Sequence, residues 1–198
     1  MPEKPQPQPA PEPKVRALDA HALRGLAHPL RMRMLTALRH DGPATASQLA
    51  ERFGESSGST SYHLRRLAAH GFVEDAVGHG KGRERWWKAA HEGTSLDDSL
   101  IQDADPATRS AAEVFLREIA TTHAQELGAW LNDAHNWSTQ WRSGSDLSNF
   151  TLRLTATQSE ELLHRIHDLI NSYRGLPEAD DTETVRLHTH VFPRGASE

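Results

Sequence analysis

Residues 56–75, SSGSTSYHLRRLAAHGFVED, concentrate side chains suited to one kind of chemistry. Short hydroxyls fill the first turns, no acid precedes Glu74, and Arg65 and Arg66 follow directly. A helix N-terminus with free amides attracts phosphate. Hydroxyls let such an end sit deep in a groove, and arginines behind it reach phosphates or guanine edges. On helical spacing Ser57, Ser61 and Arg65 share a stripe with Tyr62 and Arg66 beside it, while Thr60, Leu64 and Leu67 fall on the opposite side. Two histidine pairs are the other candidates. His164 and His167 lie three apart on a predicted helix, and His188 and His190 share a face of a predicted strand. Imidazoles so spaced can hold zinc or nickel, but the two pairs are expected on opposite sides of their sheet. Cysteine is absent, which excludes disulfides, thiolate metal sites and thiol nucleophiles. With no nucleophile elbow, phosphate-cradling glycine loop or HExxH, the chain is not expected to be an enzyme, and no cofactor is implied.

The elements that position the polar stripe can be read from caps and periodicity. Asp19 caps a short helix carrying Leu23 and Leu26. Pro29 opens a second helix with Leu30, Met34, Leu35 and Leu38 on one face, stopped by Asp41-Gly42-Pro43. Thr45 and Gln48 form a capping box for a third, closed by Gly54. The fourth runs from about 57 to 70 and ends at Gly71 with Phe72 as its apolar contact. FVEDAV and RERWWKA then read as a β-hairpin around the basic tip GHGKG. Trp86 and Trp87 point to opposite faces of its second strand, one to the helical core and the other toward the C-terminal half.

Three compact helices, a fourth joined by a tight turn and a hairpin are the order of a winged helix-turn-helix. Over residues 17–90 the chain resembles the DNA-binding domain of the ArsR family of bacterial transcriptional regulators. HPLRMRML, SQLAERF and STSYHLRRLAAHGFV carry the resemblance. It implies DNA contacts along Ser59 to Arg66, His63 included, and from Lys81 and Arg83 in the wing. The DNA-binding set is therefore Ser57, Ser59, Ser61, Tyr62, His63, Arg65, Arg66, Lys81 and Arg83. The thiolate motif of some relatives is missing from SQLAERF, and Asp133-Ala-His135 does not continue into the paired-helix metal motif of the family's zinc sensors.

Charge divides the chain in the same way. Residues 16–90 hold twelve Lys/Arg against seven Asp/Glu, and residues 91–198 hold eight against eighteen, within a net charge of -5. A basic half meeting a polyanion fits duplex DNA as the partner. Beyond the hairpin, Asp105-Pro106 opens a long helix to about residue 141 whose stripe includes Phe115, Ile119, Leu127, Trp130, Trp137 and Trp141. Such a stripe packs on a partner helix, which predicts a homodimer. A strand–helix–strand unit follows at about 149–193: Phe150, Leu152 and Leu154 inward, a capping box at Thr157 and Glu160, a helix burying Leu162, Leu163, Ile166, Leu169 and Ile170, and the strand TVRLHTHVF.

The expected fold is mainly α with small β, an α+β class. A Pro-rich disordered tail spans 1–15, a winged domain 16–92 and a dimerisation and sensor region 93–198. No apolar run is long enough for a membrane span, and the N-terminus lacks a basic-then-apolar secretory pattern, so a cytoplasmic protein is expected. The function implied is that of a sequence-specific regulator, a dimeric repressor binding operator DNA and released by an effector that the sequence does not name. The competing reading is a winged-helix module that binds protein rather than DNA.

Overall fold

In the computed structural model, which describes residues 14–79, 84–177 and 179–195, short polar side chains start the helices where the sequence expects them. Asp19 accepts the Ala22 amide at 2.7 Å and opens α1, Ala20–Leu26. Pro29 occupies the first turn of α2, Pro29–His40. Thr45 and Gln48 exchange hydrogen bonds at 3.2 and 2.9 Å to start α3, Ala46–Phe53, which Gly54 ends at φ 67°. Ser56 accepts the Ser59 amide and opens α4, Ser57–Ala69. Gly71, at φ 71°, lets the chain reverse so that the Phe72 amide donates to the Leu67 carbonyl.

Two small sheets frame these helices. In chain order the strands are β1 Val15–Ala17, β2 Ala44–Thr45, β3 Val73–Asp75, β4 Trp86–Ala89 and β5 Gly93–Ser95. β4 is central in an antiparallel sheet of order β2-β4-β3, with Trp87 opposite both Ala44 and Asp75. This is the hairpin and wing base of a winged helix-turn-helix fold of the α+β class. The sequence reading did not anticipate β2. Nor did it anticipate the parallel pairing of β1 with β5, which places Val15 in a strand rather than in the tail. Residues 1–13 of that tail lie outside the described residues.

One apolar core joins Leu23 and Leu26 of α1, Met34 and Leu35 of α2, Leu64 and Leu67 of α4, Phe72 and Trp87. Trp86, the other half of the tryptophan pair, is half-buried beside the His79 ring at 5.8 Å. A short helix, α5 Asp98–Ile101, precedes α6, Pro106–Asp133. Asp105 caps α6 by accepting the Ala107 amide at 3.1 Å, and Arg24 of α1 donates to both Asp105 and Thr108 at 2.8 Å. Ala111, Ala112 and Phe115 of α6 enter the same core.

The chain clusters into two compact units, one spanning Pro13–Asp133 and the other containing Ala134 onward. The division expected after residue 92 therefore falls inside the first unit, because the first half of α6 packs on α1 and α2. The long helix stops at Asp133 rather than near residue 141. A 3-10 turn at Ala134–Asn136 and a separate short helix, α7 Thr139–Ser143, replace its predicted end. The cause is local. Ser138 accepts the Trp141 amide as a new N-cap, which restarts the chain where a continuous helix was predicted.

The second unit departs further from expectation. Its long helix, α8 Ala156–Ser172, starts two residues earlier than predicted, on a Thr155–Gln158 capping box at 3.2 and 2.9 Å rather than on Thr157 and Glu160. Neither flanking segment, 150–154 or 184–192, pairs as a strand among the described residues. Phe150, Leu152 and Leu154 are exposed rather than inward, as is Leu169 of α8, while Leu162, Leu163, Ile166 and Ile170 are half-buried. Alternation specifies which face of a strand is apolar, but a strand forms only when a neighbour takes its amides and carbonyls.

Candidate nucleic-acid interface

α4 is held by one face and bare on the other. Thr60, Leu64 and Leu67 are fully buried. The Thr60 hydroxyl donates to the Ala46 carbonyl at 2.9 Å, tying α4 to the first residue of α3. That bond satisfies a buried hydroxyl and sets the angle between the two helices of the turn. On the other face Ser57, Tyr62, Arg65 and Arg66 are exposed, and Ser59 and Ser61 are half-buried. The stripe read from spacing is thus the surface that α4 presents.

Ser61 and Arg65 also line a groove with Thr45 to Ser47 at the α3 N-terminus and with Glu84, Arg85 and Trp87 at the wing base. The positive start of α3 and the arginines make this concavity suited to a polyanion backbone. Two groove residues escaped the sequence reading. Glu84 accepts a hydrogen bond from the Ser47 hydroxyl at 3.3 Å, so a carboxylate stands on the cationic face. Arg85 is committed elsewhere: it forms a two-pronged ion pair with Asp75 and lies 3.9 Å from the Trp87 ring centre. That hydrogen bond holds the Asp75 carboxyl below its usual range and raises the Arg85 guanidinium. No sequence signal marks either pairing, since each joins residues ten or more positions apart.

His63 is placed differently from its neighbours on the helix. Its ring turns inward onto His28, the residue preceding α2, with centres 4.6 Å apart, and Tyr62 meets it edge-on at 5.2 Å. Its Nδ1 is buried and finds no partner among the described residues. Arg31, half-buried nearby, is lowered by burial and then by Arg66, so two cations crowd this edge of α4. Lys81 and Arg83 of the wing tip lie outside the described residues.

The dimerisation stripe is divided. Phe115 is 4% exposed in the chain's own core, so it is spent inside the first unit. Ile119, Leu127 and Trp130 of α6 are half-buried, with Leu116 and Leu131 exposed beside them. In the second unit Trp137 and Trp141 meet edge-to-face at 6.2 Å, one just after the 3-10 turn and the other on α7 rather than on one continuous helix. His164, His167 and His190 are exposed and His188 is half-buried. Among the described residues no group of three or more potential ligands gathers around them.

Comparison with known proteins gives the same segment a family likeness. No curated protein matches the chain. Among solved structures it is similar to Lactococcus lactis ZitR, a mutant in apo form, at 13% identity, covering 72% of this chain and 83% of that one with a TM-score of 0.33. It is also similar to RV1404 from Mycobacterium tuberculosis at 15% identity, covering 79% and 82%, with a TM-score of 0.31. Residues 26–76 match a family model described as a helix-turn-helix domain, and because that span runs from the end of α1 through β3, the chain carries a helix-turn-helix domain.

Proposed function

We propose that the chain is a sequence-specific DNA-binding transcriptional regulator of the ArsR type, acting as a cytoplasmic, dimeric repressor. The observation that supports this most is the two-sidedness of α4: Thr60, Leu64 and Leu67 anchor it, and Ser57, Tyr62, Arg65 and Arg66 stand clear on the other side. In this reading α4 is the recognition helix. Its serine-rich start enters the major groove, with Ser59 and Ser61 at its edge, and Arg65 and Arg66 reach base edges and phosphates. The wing, with Lys81 and Arg83, adds flanking phosphate contacts. No helix among the described residues is long and apolar enough to cross a membrane.

Dimerisation is assigned to the second half of α6 and to the unit that follows. Among the described residues nothing after Phe115 is buried, although α6 and α8 keep apolar faces there. A second copy would cover Ile119, Leu127 and Trp130 of α6, with Trp137 and Trp141 further on, and would set two recognition helices at half-site spacing. Release by an effector would act through this region.

The test is fluorescence anisotropy against the duplex upstream of the coding sequence and a scrambled duplex, over a salt series. Selective binding whose log affinity falls with log salt is expected. No binding at low salt would refute the reading. Equal weak binding to both duplexes would favour the protein-interaction module.

A further inference from the structure

α4 is seated on histidines. At its middle, His63 lies against His28 with ring centres 4.6 Å apart and planes tilted by 42°. At its C-terminal cap, His70 lies against His21 of α1 at 4.4 Å, tilted by 39°. His70 also lies directly over Gly25, where an added Cβ would fall 2.4 Å from the imidazole. α1 can therefore carry no side chain at that point without unseating the ring. Nδ1 of His28, His63 and His70 is buried and finds no hydrogen-bond partner among the described residues.

The charged groups facing these rings are mostly cations. Arg31 of α2 faces both His28 and His63; Glu55, before α4, faces both from the other sign, and Glu118 of α6 faces His28. Around His70 stand His21, Arg66, Arg31 and Arg16, with no acid among them. Arg16 donates to the His70 carbonyl and lies 4.4 Å from the Phe72 ring centre, so the C-terminal end of α4 already holds a cation. Burial first, then the neighbouring cations and imidazoles, pushes His28, His63 and His70 below the ordinary histidine range, with Glu55 and Glu118 opposing the shift.

We propose that this seam is an acid-sensitive seat for α4: protonation of His28, His63 and His70 sets like charges against one another and against Arg16, Arg31 and Arg66, loosens α4 from α1 and α2, and releases DNA. His63 is then a positioning residue rather than a DNA contact. The sign follows from linkage. The folded seam binds fewer protons than the unfolded chain, so its stability is full above about pH 6.5 and is lost as pH falls from there. The consequence for DNA is opposite to that of an ordinary histidine on a DNA-binding surface, where protonation adds a cation and tightens the complex.

The functional half of this inference rests on the DNA-binding reading of α4, so the experiment has two arms. In the first, affinity of the full chain for the upstream duplex is measured at constant salt at about pH 7.5 and about pH 5.5, alongside the H28Q/H63Q variant. Wild-type affinity is expected to fall by about tenfold or more. Each protein is scored by the ratio of its own affinities at the two pH values, and the variant should lose most of the acid effect. Tightening of the wild type on acidification, or an equal acid loss in the variant, overturns the proposal.

The second arm needs no DNA: the melting temperature of both proteins across the same pH range. If neither protein binds the duplex at any pH, the DNA reading fails, and this arm decides the seam alone. A smaller acid-induced drop in H28Q/H63Q sustains the seam, and an equal drop refutes it. Should the double variant fail to fold, the single variants H63Q and H70Q are measured in its place, with the same two outcomes.

Discussion

Two helices in this chain begin with the same device and end in different circumstances. Thr45 with Gln48, and Thr155 with Gln158, make reciprocal capping boxes with the same pair of distances, 3.2 and 2.9 Å. The first box starts α3, which buries Leu49 and Ala50 in the core of the winged unit. The second starts α8, which has no buried residue. A capping box satisfies backbone amides within one turn of helix and is indifferent to what lies beyond it. Whether the helix then contributes to cooperative stability depends on a surface to pack against, and among the described residues α3 buries side chains against one while α8 does not.

The contrast can be broken or sharpened by substitution. Leu64→Ala empties a fully buried position at the centre of the core. It should cost about 2–5 kcal/mol by denaturant unfolding and remove DNA binding with it. Arg65→Ala leaves the core untouched. It should weaken specific DNA binding by about 1–3 kcal/mol and lower the salt slope by about one, read by anisotropy. Thr45→Ala removes a cap from a helix that packs, so the global unfolding transition should lose about 1 kcal/mol.

Thr155→Ala removes the same cap from α8. In the separated chain it should reduce helicity by circular dichroism while shifting the main unfolding transition by no more than about 0.5 kcal/mol. If Thr155→Ala instead costs as much as Thr45→Ala, α8 is part of a cooperative unit. Repeating the measurement over a range of protein concentrations then distinguishes a core completed by a second copy, since dimer stability rises with concentration.

Much of the winged unit was legible in the sequence because its signals are local. Asp19, Pro29, the Thr45–Gln48 box, Gly54 and Gly71 all mark boundaries that the structure keeps within a residue or so. The polar stripe of α4 was legible for the same reason: the helical period alone separates Ser57, Ser61 and Arg65 from Thr60, Leu64 and Leu67. The helix predicted to reach residue 141 failed on a local signal that was passed over, the Ser138 cap. The strands predicted around 150–154 and 184–192 failed for a different reason. Their alternating pattern is real, but pairing requires a partner that no window of sequence identifies.

Caps and amphipathic periods act over three to seven residues, so where most helices start and stop and which of their faces are apolar could be read from the residues alone. Tertiary structure alone decided which polar residues meet. It brought His63 onto His28 and His70 onto Gly25, committed Arg85 to Asp75 and Trp87, set Glu84 beside Ser47, and took Phe115 into the chain's own core. Apart from Arg85 on Trp87, each of those contacts joins residues ten or more positions apart, and a side chain's type says what it can bond but not which distant residue the fold will bring to it.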